Sequence, residues 1–135
     1  LGDVYKRQVE ILQNKDKFRT FLSENGFNVP WAFGFSSLED ALADTDKFSY
    51  PLIVKPTDSA GSKGVTRVDN EEDLKDALEH AFKHSIKGNI IVEEFIEKQG
   101  CSSDSDSFSV NGVLQFVSFS AQRFDENAAR VRTPL

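Results

Sequence analysis

Residues 50–65 read YPLIVKPTDSAGSKGV, an apolar strand that ends in a lysine and is followed by a loop of small residues. The run from Pro51 to Val54 is apolar enough to lie in a protein core. Lys55 comes directly after it, and a cation at the end of a buried strand is unfavourable unless it has a partner. The sequence therefore raises two questions: which anion neutralises Lys55, and why a loop containing Gly61 and Gly64 comes next.

Composition limits the classes of protein to consider. The chain has 135 residues, of which 39% are hydrophobic and 28% charged, enough for one modest globular domain with a core that includes most of its twelve Phe. A net charge of −6 argues against a nucleic-acid-binding surface, which needs a basic face. No apolar run has the length of a membrane span, and the single cysteine, Cys101, cannot form an internal disulfide. We therefore predict a cytoplasmic protein that binds neither nucleic acid nor membranes.

The periodicity of apolar residues predicts an α+β domain. Helices are predicted within 14–30, with Asn14 as N-cap and Gly26 as the stop, over 36–44, and over 69–88. Strands are predicted at 50–56, 64–68 and 89–97, and the short loop between the first two favours antiparallel pairing. The helices would then cover one face of a small mixed or antiparallel sheet.

The last third of the chain has one strong signal. Asn111-Gly112 within FSVNGVLQFVSFS, residues 108–120, predicts a β-hairpin. The run CSSDSDS, residues 101–107, is predicted to be a polar link, and DENAAR, residues 125–130, a loop.

The loop at 57–64 has the composition of a phosphate clamp. Small residues let backbone N–H groups approach an anion, Ser59 and Ser62 add hydroxyl donors, and Lys55 and Lys63 add positive charge. It is not a P-loop, because GSKGV leads into a predicted strand and not into a helix. Taken alone, such a loop also fits a plain surface hairpin.

The order and spacing of four features resemble the ATP-grasp superfamily. They are Lys15 eleven residues before Gly26, then YPLIVKP, then the small-residue loop, and then IIVEEFIE, and together they span roughly residues 14–120. The superfamily includes biotin carboxylase, carbamoyl phosphate synthetase large chains, D-alanine–D-alanine ligase and purine-pathway carboxylate ligases. This chain is most similar to carbamoyl-phosphate-synthase-like members.

The resemblance implies an ATP-grasp fold that holds ATP between two α+β lobes. Lys15 and Lys55 would contact the ATP phosphates, with Lys17 or Arg19 as substitutes for Lys15. A flap would close over the γ-phosphate, and a hinge against the adenine would use the side chain of Glu93 and the backbone of Glu94 and Ile96. The implied flap residues are Ser59, Ala60, Gly61, Ser62, Lys63 and Gly64. The ribose contact is assigned to Asp106, where the family normally has a glutamate. Without the resemblance, Lys15 would be predicted as a solvated residue at a helix start, and Glu93 and Glu94 as a solvated pair.

The resemblance also implies a domain order. Residues 1–8, LGDVYKRQ, fit the rest poorly and are expected to be a non-native leader. Residues 9–30 would be a helix and linker of a preceding segment, 31–92 the small lobe with the flap, and 93–135 the hinge and a truncated start of the large lobe. The Mg²⁺ ligands and catalytic residues would lie beyond the end of the chain, and this fragment alone would be inactive.

The implied activity is that of an ATP-dependent carboxylate–amine ligase. A carboxylate attacks the γ-phosphate of ATP to give an acylphosphate and ADP, and an amine or similar nucleophile then displaces phosphate. Two alternatives stay open. One is a nucleotide-binding module without turnover, and the other is an α+β interaction domain in which Lys55 merely pairs with a local acid.

Overall fold

The computed structural model describes residues 2–97, 99–100 and 102–122. The helices are α1 (Gly2–Gln13), α2 (Lys15–Glu24), α3 (Leu38–Ala43) and α4 (Leu74–His84), with 3-10 turns at Thr45–Lys47 and Glu71–Asp73. The strands are β1 (Ala32–Phe35), β2 (Leu52–Pro56), β3 (Thr66–Val68), β4 (Ile90–Glu94), β5 (Ser102–Val110) and β6 (Val113–Gln122). Cys101 and the DENAAR segment lie outside the described residues.

The first compact unit, up to Phe95, is built on a four-stranded sheet of order β1-β4-β2-β3 in which every neighbouring pair is antiparallel. This confirms the predicted α+β class. The strand β1, which follows Pro30, is not among the strands predicted from the sequence.

Helix α4 covers one face of the sheet. Its apolar stripe, Leu74, Ala77, Leu78 and Ala81, is buried as the helical spacing predicted. It packs with the alternate sheet residues Leu52, Val54, Val68, Ile90 and Val92, and with Phe35 and Phe48. Full burial of one such Leu side chain stabilises the fold by about 1.5–3 kcal/mol.

The helix ends follow from capping residues. The Asn14 side chain accepts a hydrogen bond from the Lys17 amide, and Gly26 has the positive φ expected after a helix. The N-terminus of α4 differs from the prediction, because Glu71–Asp73 form a 3-10 turn and the α-helix starts only at Leu74. No described helix combines the length and apolar composition that a bilayer span requires.

The second compact unit, from Ile96 onward, contains the predicted hairpin. Asn111 and Gly112 have φ of 50° and 76°, as a two-residue hairpin turn needs. The prediction of a polar link at 101–107 is wrong, because β5 begins at Ser102 and pairs with β6 along its whole length. Pairing in the register set by the turn overrides the low strand propensity of Ser and Asp.

The expectation that most Phe residues are core residues is also wrong. Phe35 and Phe48 are buried, but Phe108, Phe116 and Phe119 on the hairpin are 58–79% exposed. A two-stranded ribbon has no second layer of its own with which to bury either face.

Candidate functional site

The candidate site lies on the sheet face that α4 does not cover. Since side chains alternate along a strand, Lys55 and Ile53 on β2 point away from the face of Val54, and Glu93 on β4 points away from the face of Val92. The strand register places Lys55 opposite Ile91 and Glu93 opposite Ile53. Lys55 and Glu93 are therefore diagonal neighbours on the same face.

Glu93 accepts from two cations. The ammonium of Lys55 contacts Oε1, and the Arg19 Nε on α2 lies 3.2 Å from Oε2. The Glu93 side chain is only 8% exposed, and its two cationic partners offset the cost of burying the carboxylate. Lys55 is therefore paired with a local acid. The alternative in which Glu93 and Glu94 are both solvated is wrong for Glu93, which is buried, whereas Glu94 is exposed.

Lys15 lies beside the first residues of the loop that follows β2. We call these residues, 57–59, the foot of the loop. Its Nζ donates to the carbonyl oxygens of Ser59 at 2.8 Å and of Thr57 at 3.4 Å, and its backbone N–H also donates to the Thr57 carbonyl. Burial lowers the pKa of Lys15, the charge of Lys55 lowers it further, and Asp58 and Glu93 oppose the shift. Lys15 is thus a partly desolvated ammonium and not a solvated residue at a helix start.

Helix α2 can supply these cations because it lies close to β1. A Cβ atom on Gly34 would lie 2.7 Å from the Asp16 carboxylate, so the absence of a side chain at position 34 leaves room for Asp16 against the strand. Lys15 and Arg19 are four residues apart and share a helix face, a spacing that sequence reasoning could have used to include both. Lys17 instead pairs with Glu10 at 2.9 Å in an exposed contact.

The loop over Lys15 is a turn with three residues of positive φ: Gly61 at 66°, Ser62 at 57° and Gly64 at 74°. The Ser59 hydroxyl donates to the Lys63 carbonyl at 2.9 Å and closes the turn. Ala60, Gly61 and Lys63 are exposed, whereas Gly64 is buried. A turn in which left-handed residues lie next to right-handed ones can direct successive backbone N–H groups toward an anion.

The predicted hinge begins at the end of β4. The Glu94 N–H donates to the Trp31 carbonyl at 3.0 Å and the Phe95 N–H to the Pro51 carbonyl at 3.3 Å, so these two amides are already engaged. The guanidinium of Arg67 lies 4.1 Å from the centre of the Phe95 ring. Ile96 and Asp106 belong to the second unit, with Asp106 opposite Ser118 in the hairpin, and their predicted adenine and ribose contacts stay predictions.

The structure adds Asp58, which sequence reasoning did not select. Its carboxylate accepts from Ser85, Ile86 and Lys87, just after α4. Burial alone would raise the pKa of Asp58, but the hydrogen bonds from the Lys87 and Ile86 amides and the Ser85 hydroxyl outweigh it and hold the pKa below its usual value. No sequence signal links residues so far apart. The described part of the chain contains no group of three His, Cys, Asp or Glu placed to hold a metal ion.

Solved structures with the same fold include a D-alanine–D-alanine ligase and a D-Ala:D-Ser ligase. The chain is similar to the ligase of Helicobacter pylori, with 23% identity and a TM-score of 0.64 over 91% of this chain and 41% of that one. It is similar to the VanG D-Ala:D-Ser ligase of Enterococcus faecalis, with 24% identity and a TM-score of 0.62 over 86% of this chain and 40% of that one. At these identities the likeness shows the fold.

Sequence comparison gives longer relatives and a family. The chain is 25% identical to the carbamoyl phosphate synthase large chain of Clostridium beijerinckii over 114 residues, which are 82% of this chain and 11% of that protein. It therefore spans about a tenth of the length of that relative. The family model of the D-Ala D-Ala ligase C-terminus matches residues 26–118. The chain belongs to this family and forms part of an ATP-grasp domain, as its strand, loop and hinge motifs predicted.

Proposed function

We propose that this chain holds the triphosphate of ATP in a ligase that activates a carboxylate as an acylphosphate for attack by an amine or similar nucleophile. The observation that carries the proposal is the convergence of Lys15 and Lys55, from two different elements, at the foot of the same glycine loop. Arg19 adds a third cation beside them.

The charges at this site favour an anionic ligand. In the described part of the chain Lys15 donates only to carbonyl oxygens and has no carboxylate within ion-pair distance. An ammonium that burial already disfavours gains most from a polyphosphate, since charge-assisted hydrogen bonds are roughly twice as strong as neutral ones. Lys55 can contact a phosphate oxygen while Arg19 continues to hold Glu93.

The remaining assignments complete the ATP site. Lys15 and Lys55 neutralise phosphate charge, and the loop lies over the γ-phosphate with its backbone N–H groups. The loop residues are Ser59, Ala60, Gly61, Ser62, Lys63 and Gly64. Glu93 accepts from the adenine amino group, the backbone of Glu94 and Ile96 contacts the base edge, and Asp106 contacts the ribose. At Glu94 the carbonyl oxygen is the contacting atom, because its N–H is bonded to Trp31.

The chemistry asked of these residues is positioning and charge neutralisation. The ammonium groups of Lys15 and Lys55 offset the charge of the transferring phosphoryl group, and a closed loop keeps water from the acylphosphate. Mg²⁺, if bound, would supply further charge neutralisation at the phosphates. Its protein ligands are proposed to lie outside the described residues, and the carboxylate and amine substrates are small molecules.

Titration of ATP into the chain, with and without Mg²⁺, tests the proposal. Lys55→Ala is expected to weaken ATP binding by about 1.5–3 kcal/mol, the scale of a charge-assisted contact. Lys75→Ala is the matched control, because Lys75 is a 65% exposed lysine on α4. Equal ATP affinity in the wild type and Lys55→Ala, or no binding in either, contradicts the proposal.

A second candidate is an interaction domain in which Lys55 only pairs with Glu93. The observed contact between the two side chains favours this alternative, and the same titration separates it from ATP binding. A nucleotide-binding module without turnover is separated by a different measurement. Release of ADP by the product of the complete reading frame, in the presence of candidate carboxylates, is expected only for a ligase.

A further inference from the structure

Both ends of the loop are attached to the C-terminal end of α4. At the first end, Asp58 Oδ1 accepts from the Ser85 hydroxyl at 3.0 Å and the Ile86 amide at 3.1 Å, and Oδ2 accepts from the Lys87 amide at 2.7 Å. One carboxylate thus satisfies three donors of the segment that follows the helix. This contact joins residues that are 27–29 positions apart in the sequence.

The attachment continues into the sheet. The Asn89 amide donates to the Ser85 hydroxyl oxygen at 2.9 Å, and the Thr57 amide donates to the Asn89 carbonyl at 3.0 Å. The residue before Asp58 and the residue before β4 are therefore held by the same network. Movement of Asp58 away from α4 would break its hydrogen bonds to residues 85–87. It would also strain the neighbouring bond from the Thr57 amide to the Asn89 carbonyl.

The second end of the loop is fixed by close packing. Gly64 is buried with φ of 74°, and a Cβ atom there would lie 2.6 Å from His84 Cβ and 2.9 Å from Pro56 Cγ. The backbone therefore lies directly against the last residue of α4. Between these two attachments only Ser59 to Lys63 remain to move over a ligand.

We propose that Asp58 is a positioning residue that fixes the foot of the loop on α4 and so places Lys15 and the loop amides for the terminal phosphates of ATP. The inference rests on the proposed function. The link to Lys15 is direct, because the carbonyl that accepts from Lys15 Nζ at 2.8 Å belongs to Ser59, the next residue. Without Asp58 the Ser59 carbonyl loses its nearest attachment to α4, and the orientation of the Lys15 ammonium is less well defined.

The test compares ATP, ADP and AMP affinities in the wild type, Asp58→Asn and Asp58→Ala. We expect Asp58→Asn to weaken ATP binding about tenfold and AMP binding less than about twofold, so that the ATP/AMP affinity ratio falls. In Asn the amide nitrogen replaces one acceptor oxygen and opposes the Lys87 N–H, although the side chain keeps its size. Asp76→Asn, an exposed carboxylate on α4, is the control and should leave the ratio unchanged.

Amide hydrogen exchange without nucleotide gives an independent readout of the anchor. Asp58→Asn should accelerate exchange of the Ile86 and Lys87 amides about tenfold or more, while the amides in the middle of α4 keep the wild-type rate. Unchanged exchange at these two amides overturns the anchoring. If Asp58→Ala does not fold, Asp58→Asn alone decides.

The outcomes separate the two proposals. A wild-type chain that does not bind ATP overturns the proposed function and with it the positioning role. A wild-type chain that binds ATP, together with an unchanged ATP/AMP ratio in Asp58→Asn, overturns only the role of Asp58. An equal loss of affinity for all three nucleotides also overturns it, because that result indicates general destabilisation.

Discussion

Lys55 and Glu93 lie on the same face of adjacent antiparallel strands, two positions apart in the strand register, and their side chains bridge that diagonal. Arg19 reaches the second oxygen of the same carboxylate from α2. One buried acid therefore joins two strands and a helix. Lys55, next to the last residue of β2, is therefore paired, and it shares its carboxylate partner with Arg19.

The first prediction concerns the stability of this cluster. Glu93→Gln is expected to lower the free energy of unfolding by about 2–3 kcal/mol, because it leaves two partly buried cations without their counter-charge. Lys55→Met combined with Glu93→Gln should cost at least about 1 kcal/mol less than the sum of the single changes. Urea unfolding measures all four proteins. Strict additivity would show that the two side chains do not interact, and Glu79→Gln, 53% exposed on α4, serves as the control.

A second prediction uses the lowered pKa of Lys15. The ligand-free fold disfavours the ammonium, whereas a bound polyphosphate favours it, so ATP affinity must fall as pH rises through the ligand-free pKa. We expect this fall over an alkaline range that begins below the pH at which an ordinary lysine loses its proton, because the pKa of Lys15 is lowered by burial and by Lys55. Lys15→Arg, whose guanidinium stays charged, should bind ATP with little pH dependence over this range. Identical pH profiles for the two proteins would exclude Lys15 from the phosphate site.

The third prediction separates two roles of glycine. Gly61 and Gly64 both have positive φ, but a Cβ atom at Gly61 meets nothing within 4 Å, whereas one at Gly64 meets His84 and Pro56. Gly61→Ala should therefore lower the free energy of unfolding by about 1 kcal/mol, through the strained backbone conformation alone. Gly64→Ala should cost about 3 kcal/mol, because overpacking adds to it. Thermal or urea unfolding gives both values, and equal costs would contradict the close packing at Gly64.

A fourth prediction concerns closure of the loop. Gly61→Val places a β-branched residue where φ is 66°. Because valine disfavours positive φ, the substitution should hinder closure of the loop over a phosphate. ATP affinity is expected to fall about tenfold, while AMP affinity stays within about twofold of the wild type. Ala60→Val is the matched control, since its exposed position has no positive φ. An unchanged ATP affinity and unchanged loop exchange in Gly61→Val would contradict the role of the loop.

Sequence reasoning reached the local features of the site and missed those that depend on distant residues. The strand that ends in Lys55, the glycine loop and the Asn111-Gly112 turn have short-range chemical signatures. Glu93 as the partner of Lys55 follows from strand register, and Arg19 from the position of α2 over Gly34. Neither relationship has a signature within a window of neighbouring residues.

The sequence by itself determined the elements that local chemistry dictates: the apolar stripe of α4, the cap at Asn14, the buried strand β2 and the turn at Asn111-Gly112. Only the tertiary structure decided that β5 extends through the Ser and Asp run, that Glu93 accepts from Lys55 and Arg19, and that Asp58 holds the loop on α4. The reason is the range of the forces. Capping, periodicity and turn geometry act over a few residues, whereas strand register and buried ion pairs depend on which distant segments meet.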